Sequence, residues 1–338
     1  MTEPLSPRGF LPAADPLERL PPAFDEWETL AHDLPKLLAT THVRSFLERA
    51  AEPDLAALET DAQAERAMLI LSYFGHAYVW GQPRAAFRLP PNLARPWAAV
   101  AAKLGRPPVL SYASYALHNW RRVERDGPVA IGNIVLLQNF LGGIDEEWFI
   151  LVHVDIEARA AAALVELPIA QKAANDGDTA ALENSLGRIA RSLEGMYGTL
   201  VRMTELCDPY IYYQRVRPYI HGWKNNPALP DGLIYDGVDA FGGKPQKFAG
   251  ETGAQSSIIP SLDAALGVSH RDDPLRPYLV DMRNYMPPAH RGFIEAIERG
   301  PSVRAYVEQH KREEGLVETY NACTIWIERF RSKHLEYA

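Results

Sequence analysis

The stretch Trp148-Phe-Ile-Leu-Val-His-Val-Asp-Ile-Glu157 constrains the fold of this chain more than any other. An apolar run this dense belongs in a core, yet a histidine and two acids interrupt it. A buried imidazole or carboxylate must find a partner or a role. Propensity favours a strand, because Phe149, Ile150, Val152, Val154 and Ile156 are aromatic or β-branched. A strand puts His153, Asp155 and Glu157 on one face. A helix puts Phe149, His153 and Glu157 on one face instead, four residues apart. The alanine-rich continuation from Ala158 to Ala163 favours the helix. Short apolar runs are ambiguous between the two, so local pattern leaves both open.

The rest of the chain reads as predominantly α. Residues 1 to about 26 are proline-rich and form an extended arm, anchored by Phe10, Leu11, Leu17, Leu20 and Phe24. Helical spacing runs from Trp27 to Leu38, with Asp25 as N-cap and Glu28 at the capping-box position. Further helices are expected from His42 to Ala50 and from Asp61 to Val79. Another centres on Trp97 and Val100, between Pro90-Pro91 and Pro107-Pro108. The next runs from Tyr112 to Arg122, with Tyr112, Tyr115 and Asn119 on one face. Asp126-Gly127-Pro128 is a turn. Gly142-Gly143 breaks the pattern and divides a domain 1–142 from a domain 143–338. In the second part Asn175-Asp-Gly-Asp178 is a turn, and Thr179 to Leu206 reads as one helix capped by Cys207-Asp-Pro-Tyr210. An aromatic and basic cluster follows: Tyr212, Tyr213, Arg215, Arg217, Tyr219 and Trp223. Residues 225 to 256 form a loop, and one this long is usually functional. Helices return at Ile258–Leu266, Pro274–Tyr285, His290–Glu298, Ser302–Glu313 and from Leu316 to the end.

Composition narrows the partners. The chain of 338 residues carries 35 basic and 43 acidic side chains, a formal charge of −8. Nucleic acid is therefore not expected as a partner, since phosphate binding shows a basic stripe. No apolar run approaches the ~20 residues of a membrane span. The opening Met-Thr-Glu-Pro-Leu-Ser-Pro lacks the regions of a signal peptide. Cys207 and Cys323 are the only cysteines and lie far apart, which points to a reducing, cytoplasmic setting.

Six groups of residues carry a resemblance to a known family. They are Pro108-Val-Leu-Ser-Tyr112 with Asn119-Trp120, the run from Phe149, and Arg217-Pro-Tyr-Ile-His-Gly-Trp223 continuing to Tyr235. Then come Phe248-Ala-Gly-Glu-Thr-Gly-Ala-Gln-Ser-Ser257, Met282-Arg-Asn-Tyr-Met-Pro-Pro-Ala-His-Arg291 with Pro301-Ser-Val-Arg304, and Phe330-Arg-Ser-Lys-His334. In this order they resemble the indoleamine 2,3-dioxygenases, haem enzymes that open the indole ring of tryptophan with O2. The resemblance covers nearly the whole chain. It implies an all-α fold with a small N-terminal and a large haem-binding C-terminal domain, and it favours the helical reading of residues 147–163.

The resemblance also implies roles. His334 matches the proximal ligand of haem b; without it, a surface histidine among ten would be the ordinary reading. Arg331 matches a residue that neutralises a haem propionate, and Asp263 one that braces that arginine; the bland reading is a surface ion pair worth little. Tyr112, Tyr115 and Phe149 match the wall of the indole pocket. Tyr212 and Tyr213 stand where two phenylalanines are usual and make the site more polar. Arg217 matches the arginine that holds the substrate carboxylate, a task suited to its planar fork. Gly250, Glu251, Thr252 and Gly253 match the loop over the haem, whose backbone and threonine could receive the substrate ammonium or a propionate. His153 replaces the serine of the animal enzymes, and the related tryptophan 2,3-dioxygenases use a distal histidine to bind the indole N–H. Core packing is the alternative for His153 and for each aromatic. The chain ends four residues after His334, where family members continue with a helix and a lid loop.

The implied function is insertion of O2 across the indole C2–C3 bond of L-tryptophan or a related indole, giving an N-formylkynurenine-type product. A cellular reductant would keep the haem ferrous. Two rivals stand beside it. One is a haem sensor or store with the same fold and no turnover. The other is non-haem iron held by His153, Asp155 and His290, a two-histidine, one-carboxylate set.

Overall fold

The computed structural model describes residues 5–268 and 274–337. The expected final helix residue, 338, and the first four residues of the arm lie outside them. The first half contains α1 (Asp25–Leu38), α2 (Val43–Arg49), α3 (Asp61–Trp80), β1 (Arg88–Leu89) and α4 (Pro91–Leu104). A π-helical turn, Ala113–Leu117, leads into the hairpin β2 (Trp120–Arg122) and β3 (Ile134–Leu136). The second half opens with α5 (Ile144–Asp176) and α6 (Thr179–Leu200). The short helices α7 (Met203–Leu206) and α8 (Pro209–Ile211), a second π-helical turn (Tyr212–Val216) and α9 (Arg217–Ile220) follow. After β4 (Ile234–Tyr235) come α10 (Ile258–Leu266), α11 (Arg276–Met282), α12 (Pro288–Arg299), α13 (Val303–Gln309) and α14 (Glu314–Tyr337).

Two helices form the centre. In α3 every residue from Ala67 to Val79 is buried, as expected of a helix that is apolar on all sides. Its start is fixed by a capping box, with the Thr60 hydroxyl on the Gln63 N–H and the Gln63 side chain reaching back. The other is α5, which settles the ambiguous stretch as helix. It packs along α6, and α14 packs on the other side of α6. Helical geometry separates Asp155 from His153 and Glu157. Asp155 turns to Thr199 and to Arg159 at 2.7 Å, while Phe149, His153 and Glu157 stay on one face.

The N-terminal arm is held by burial of Phe10, Leu11, Leu20 and Phe24. Phe10 meets the ring of Phe293 edge-on at 5.6 Å and His290 at 4.5 Å. The halves are stapled by a parallel pair, β1 with β4, so the long loop 225–256 is tied back to the chain before α4. Among the described residues no helix is long and apolar enough to cross a membrane.

Four local expectations need correction. Asp25 does not cap α1; the N-cap is Phe24, with no side-chain cap bond. Asp25 instead pairs with Arg19 at 2.5 Å, and Glu28 forms a buried ion pair with Arg66 at 2.7 Å. The expected helix Tyr112–Arg122 is only a π-helical turn, because Asn119 leaves the ladder to exchange two 2.8 Å bonds with the Gln138 backbone. Thr179–Leu206 is two helices, broken where the Trp148 indole N–H takes the Arg202 carbonyl at 2.9 Å. Of the expected cap, Cys207 does close the helix before it as the C-cap of α7, whereas Asp208 caps the start of α8, accepting from Tyr210 N–H at 2.8 Å.

Candidate active site

Three segments converge on the strip of α5 that carries Phe149, His153 and Glu157. From one side comes the segment Tyr112 to Tyr115, entering the first π-helical turn. From another come Tyr212 and Arg217, at the second π-helical turn and α9. The loop Gly250 to Gly253 closes the third side. Phe149 stacks on Tyr212 with ring centroids 3.9 Å apart and lies 4.4 Å from the His153 ring. Tyr115 faces Phe149 at 6.5 Å and shares a 3.3 Å hydroxyl contact with Tyr212. Tyr112 meets His153 edge-on at 5.9 Å. Tyr213 stands apart: it is 56% exposed, and Arg217 lies over its ring at 5.0 Å.

The loop is positioned by backbone contacts that only glycine permits. A Cβ on Gly250 would fall 2.1 Å from the Ile220 carbonyl oxygen, so the loop can press directly against the end of α9. Glu251 N–H then donates to that carbonyl at 3.1 Å. Gln255, buried, locks the turn by donating to Gly250 O at 2.8 Å and accepting from Tyr112 N–H at 2.9 Å. Thr252 accepts from Ala254 N–H, which starts a short 3-10 turn. Gly253 brings this turn to the last turns of α14, where a Cβ would lie 3.8 Å from His334 Nε2. On the same stretch of α14, Arg331 pairs with Asp263 of α10.

The titratable groups are strongly perturbed. Burial pushes His153 down to about 4, and the nearby His334 adds to that. His153 Nδ1 lies 2.7 Å from the Phe149 carbonyl oxygen. A carbonyl only accepts, so Nδ1 carries the proton and Nε2 presents a lone pair. His334 is an exposed residue of α14 whose ring is lowered by partial desolvation and makes no hydrogen bond among the described residues. Glu157 is raised to about 7 by burial; one oxygen accepts from Tyr112 OH at 3.0 Å and Ser256 OH at 2.8 Å. Glu251 is raised to about 8 by burial, opposed by the charge of Arg217.

Sequence reading singles out neither Gln255 nor Ser256 as site residues, although both lie in the Phe248–Ser257 segment. Glu157 is visible in the sequence only as the third member of the helical face with Phe149 and His153. The non-haem iron set is not assembled. His290 packs on Phe10 and reaches Ser257 at 3.4 Å, Asp155 points to Thr199, and no three possible ligands gather among the described residues.

These shifts set a pH dependence for the haem-free protein. Glu146, Glu157 and Glu251, raised to about 7, 7 and 8 from 4.5, contribute stability that is full below 4.5 and lost as pH rises through 7 to 8. His76, His153 and His290, lowered to about 3, 4 and 3 from 6.5, contribute stability present above 6.5 and lost as pH falls toward 3. The melting temperature is therefore expected to peak between 4.5 and 6.5. Thermal melts across pH 3 to 9 check this, and a maximum near pH 8 would contradict it.

The chemistry of the donor set suits a haem. An imidazole with no hydrogen-bond partner among the described residues lies beside a glycine turn, an arginine–carboxylate pair stands on the same stretch of helix, and a second histidine, His153, packs against the aromatic rings of Tyr112 and Phe149. Comparison with known proteins agrees. A family model described as indoleamine 2,3-dioxygenase matches residues 5–338. The chain is 38% identical over 324 residues to indoleamine 2,3-dioxygenase 1 of Rattus norvegicus, covering 95% of this chain and 79% of that protein. It is 33% identical over 352 residues to indoleamine 2,3-dioxygenase of Saccharomyces cerevisiae, covering 97% and 76%. To a 6-hydroxytryptophan 2,3-dioxygenase of Fusarium equiseti it is 31% identical over 330 residues, covering 97% and 80%.

Proposed function

The chain belongs to the indoleamine 2,3-dioxygenase family, and from that premise we propose that it inserts O2 across the indole C2–C3 bond of L-tryptophan or a close relative. It is a haem-dependent dioxygenase with an all-α fold. The cofactor is haem b, held through His334, with Arg331 and Asp263 toward a propionate. Haem, when bound, supplies the oxygen chemistry; the chain supplies orientation and a pocket screened from water.

Tyr112, Tyr115, Phe149 and Tyr212 take the indole by stacking and apolar burial. Arg217 takes the carboxylate through its two parallel N–H groups. Thr252 and the backbone at Gly250 and Gly253 line the side nearest His334. Tyr213 contributes through Arg217, whose guanidinium it supports. A cellular reductant is the second partner, and a reducing cytoplasm suits the free, buried Cys207 and Cys323. The boundary between the smaller and larger parts is drawn at Gly142-Gly143, supported by the start of α5 at Ile144.

The observation that carries the reading is the tautomer of His153. A neutral imidazole with its proton committed to Phe149 O offers Nε2 as an acceptor, and the indole N–H is a donor. Turnover of L-tryptophan under a reducing system, followed by formation of the N-formylkynurenine chromophore, tests the activity. Absence of product from haem-loaded protein would overturn it. For His153 itself, His153→Ala is expected to keep haem and to lose one hydrogen bond to tryptophan, about 0.5–1.5 kcal/mol. The gap between tryptophan and its N1-methyl analogue should narrow accordingly. An unchanged gap with a lower melting temperature would make His153 a packing residue.

A further inference from the structure

Arg217 opens α9, and the loop that carries Glu251 is pressed against the other end of that four-residue helix. No ion pair within 4.0 Å joins Arg217 and Glu251 among the described residues. Yet Arg217 is the one group whose charge favours an ionised Glu251. The surrounding polar groups are already engaged. Tyr112 OH donates to Glu157, Tyr115 and Tyr212 share a contact, and Tyr73 OH accepts from Asn119. The Glu251 carboxyl itself makes no hydrogen bond to any described residue.

It is nevertheless held in place. Its backbone N–H is bound to Ile220 O at 3.1 Å, and the glycine before it is pressed on the end of α9. Glu251 is half-buried, and a carboxyl at a partly enclosed site with no protein donor is open to a ligand that supplies one. The charge coupled to it is a guanidinium. A molecule carrying a cation and an anion on neighbouring atoms would satisfy both at once.

We infer that Glu251 receives the ammonium of an α-amino acid whose carboxylate sits on Arg217, so that the pocket selects free amino acids over indole acids and indole amines. This deepens the proposed function and rests on its placement of the substrate. The titratable groups whose ionisation is coupled to Glu251 are Arg217 of α9, Tyr212, Tyr112 and Tyr115 at the pocket wall, and Tyr73 of α3. Among these Arg217 alone is charged at neutral pH. Glu251, raised to about 8 by burial, is mostly protonated before binding. An ammonium partner favours the ionised form, so binding at pH 7 releases a proton.

The test is calorimetric titration of the haem-loaded protein with L-tryptophan, indole-3-propionate and tryptamine, in two buffers of different ionisation enthalpy. Wild-type protein should prefer tryptophan to both analogues and release a proton on binding it. Glu251→Gln, which keeps shape and removes charge, should weaken tryptophan and tryptamine about tenfold and leave indole-3-propionate unchanged or tighter. The proton release should vanish, and Glu251→Asp should recover part of the preference. Equal losses for tryptophan and indole-3-propionate, or none for tryptophan, would overturn the inference. If Glu251→Gln keeps full affinity while wild-type protein still oxidises tryptophan, the inference falls and the proposed function stands. If wild-type protein binds none of the three, the placement of the substrate falls and takes the inference with it.

Discussion

Purified His334→Ala should contain little or no haem. Its imidazole is the one in the last turns of α14, beside the Gly253 turn and without a hydrogen-bond partner among the described residues. The other histidine at the site, His153, has Nδ1 committed to the Phe149 carbonyl. On the proposed assignment, removing the His334 imidazole would take away the haem's ligand and leave the Arg331–Asp263 pair and apolar contacts to hold it. Haem content by pyridine haemochrome, with the circular dichroism spectrum as a folding control, decides the matter. A folded variant with stoichiometric, reducible haem would assign the ligand elsewhere.

Arg217→Ala is expected to produce the largest loss of substrate affinity. A charge-assisted, two-pronged contact contributes roughly 1.5–3 kcal/mol, about ten- to a hundredfold in Kd. Arg217 is half-buried, stacked over Tyr213, and free of any ion pair among the described residues. Its charge is thus available to a ligand and is not spent on a protein carboxylate. Indole, which has no carboxylate, supplies the control. Tryptophan should weaken by the full amount and indole hardly at all. Equal weakening would mean that the substitution disturbs the Tyr212 stack and that Arg217 lies outside the site.

Much of the fold is legible in the sequence because its helices are long and periodic. The capping box at Thr60, the proline brackets around α4 and the Asp176-Gly177 turn all act within a few residues, so sequence spacing reports them. The misreadings share one cause, a partner distant in sequence. Glu28 looks like a capping residue until Arg66 is placed beside it. Nothing between Thr179 and Leu206 announces that Trp148 will draw out the Arg202 carbonyl. In the same way Asn119 leaves its helix for Gln138.

The site divides along the same line. Phe149, His153 and Glu157 are legible as a helical face, since a four-residue period is a local property. That Glu157 is bonded to Tyr112 and Ser256 is not, because those partners come from two other segments. The resemblance to a family supplies candidates at His334, Arg217 and the Gly250–Gly253 loop. The direction in which each side chain is held depends on contacts such as Gln255 to Tyr112.

The two π-helical turns bear on how such a pocket can change over evolutionary time. Tyr115 lies within one and Tyr212 opens the other, and the two hydroxyls meet. A π-helical turn holds one residue more than an α-turn. Deleting a single residue from either would remove the bulge, restore α geometry and re-aim the side chains of that turn. Deletions of this kind would re-aim an entire wall, in steps that no exchange of one side chain for another can match. Divergence in substrate preference among such chains should therefore be sought in alignment gaps at these two turns as much as in their residue identities.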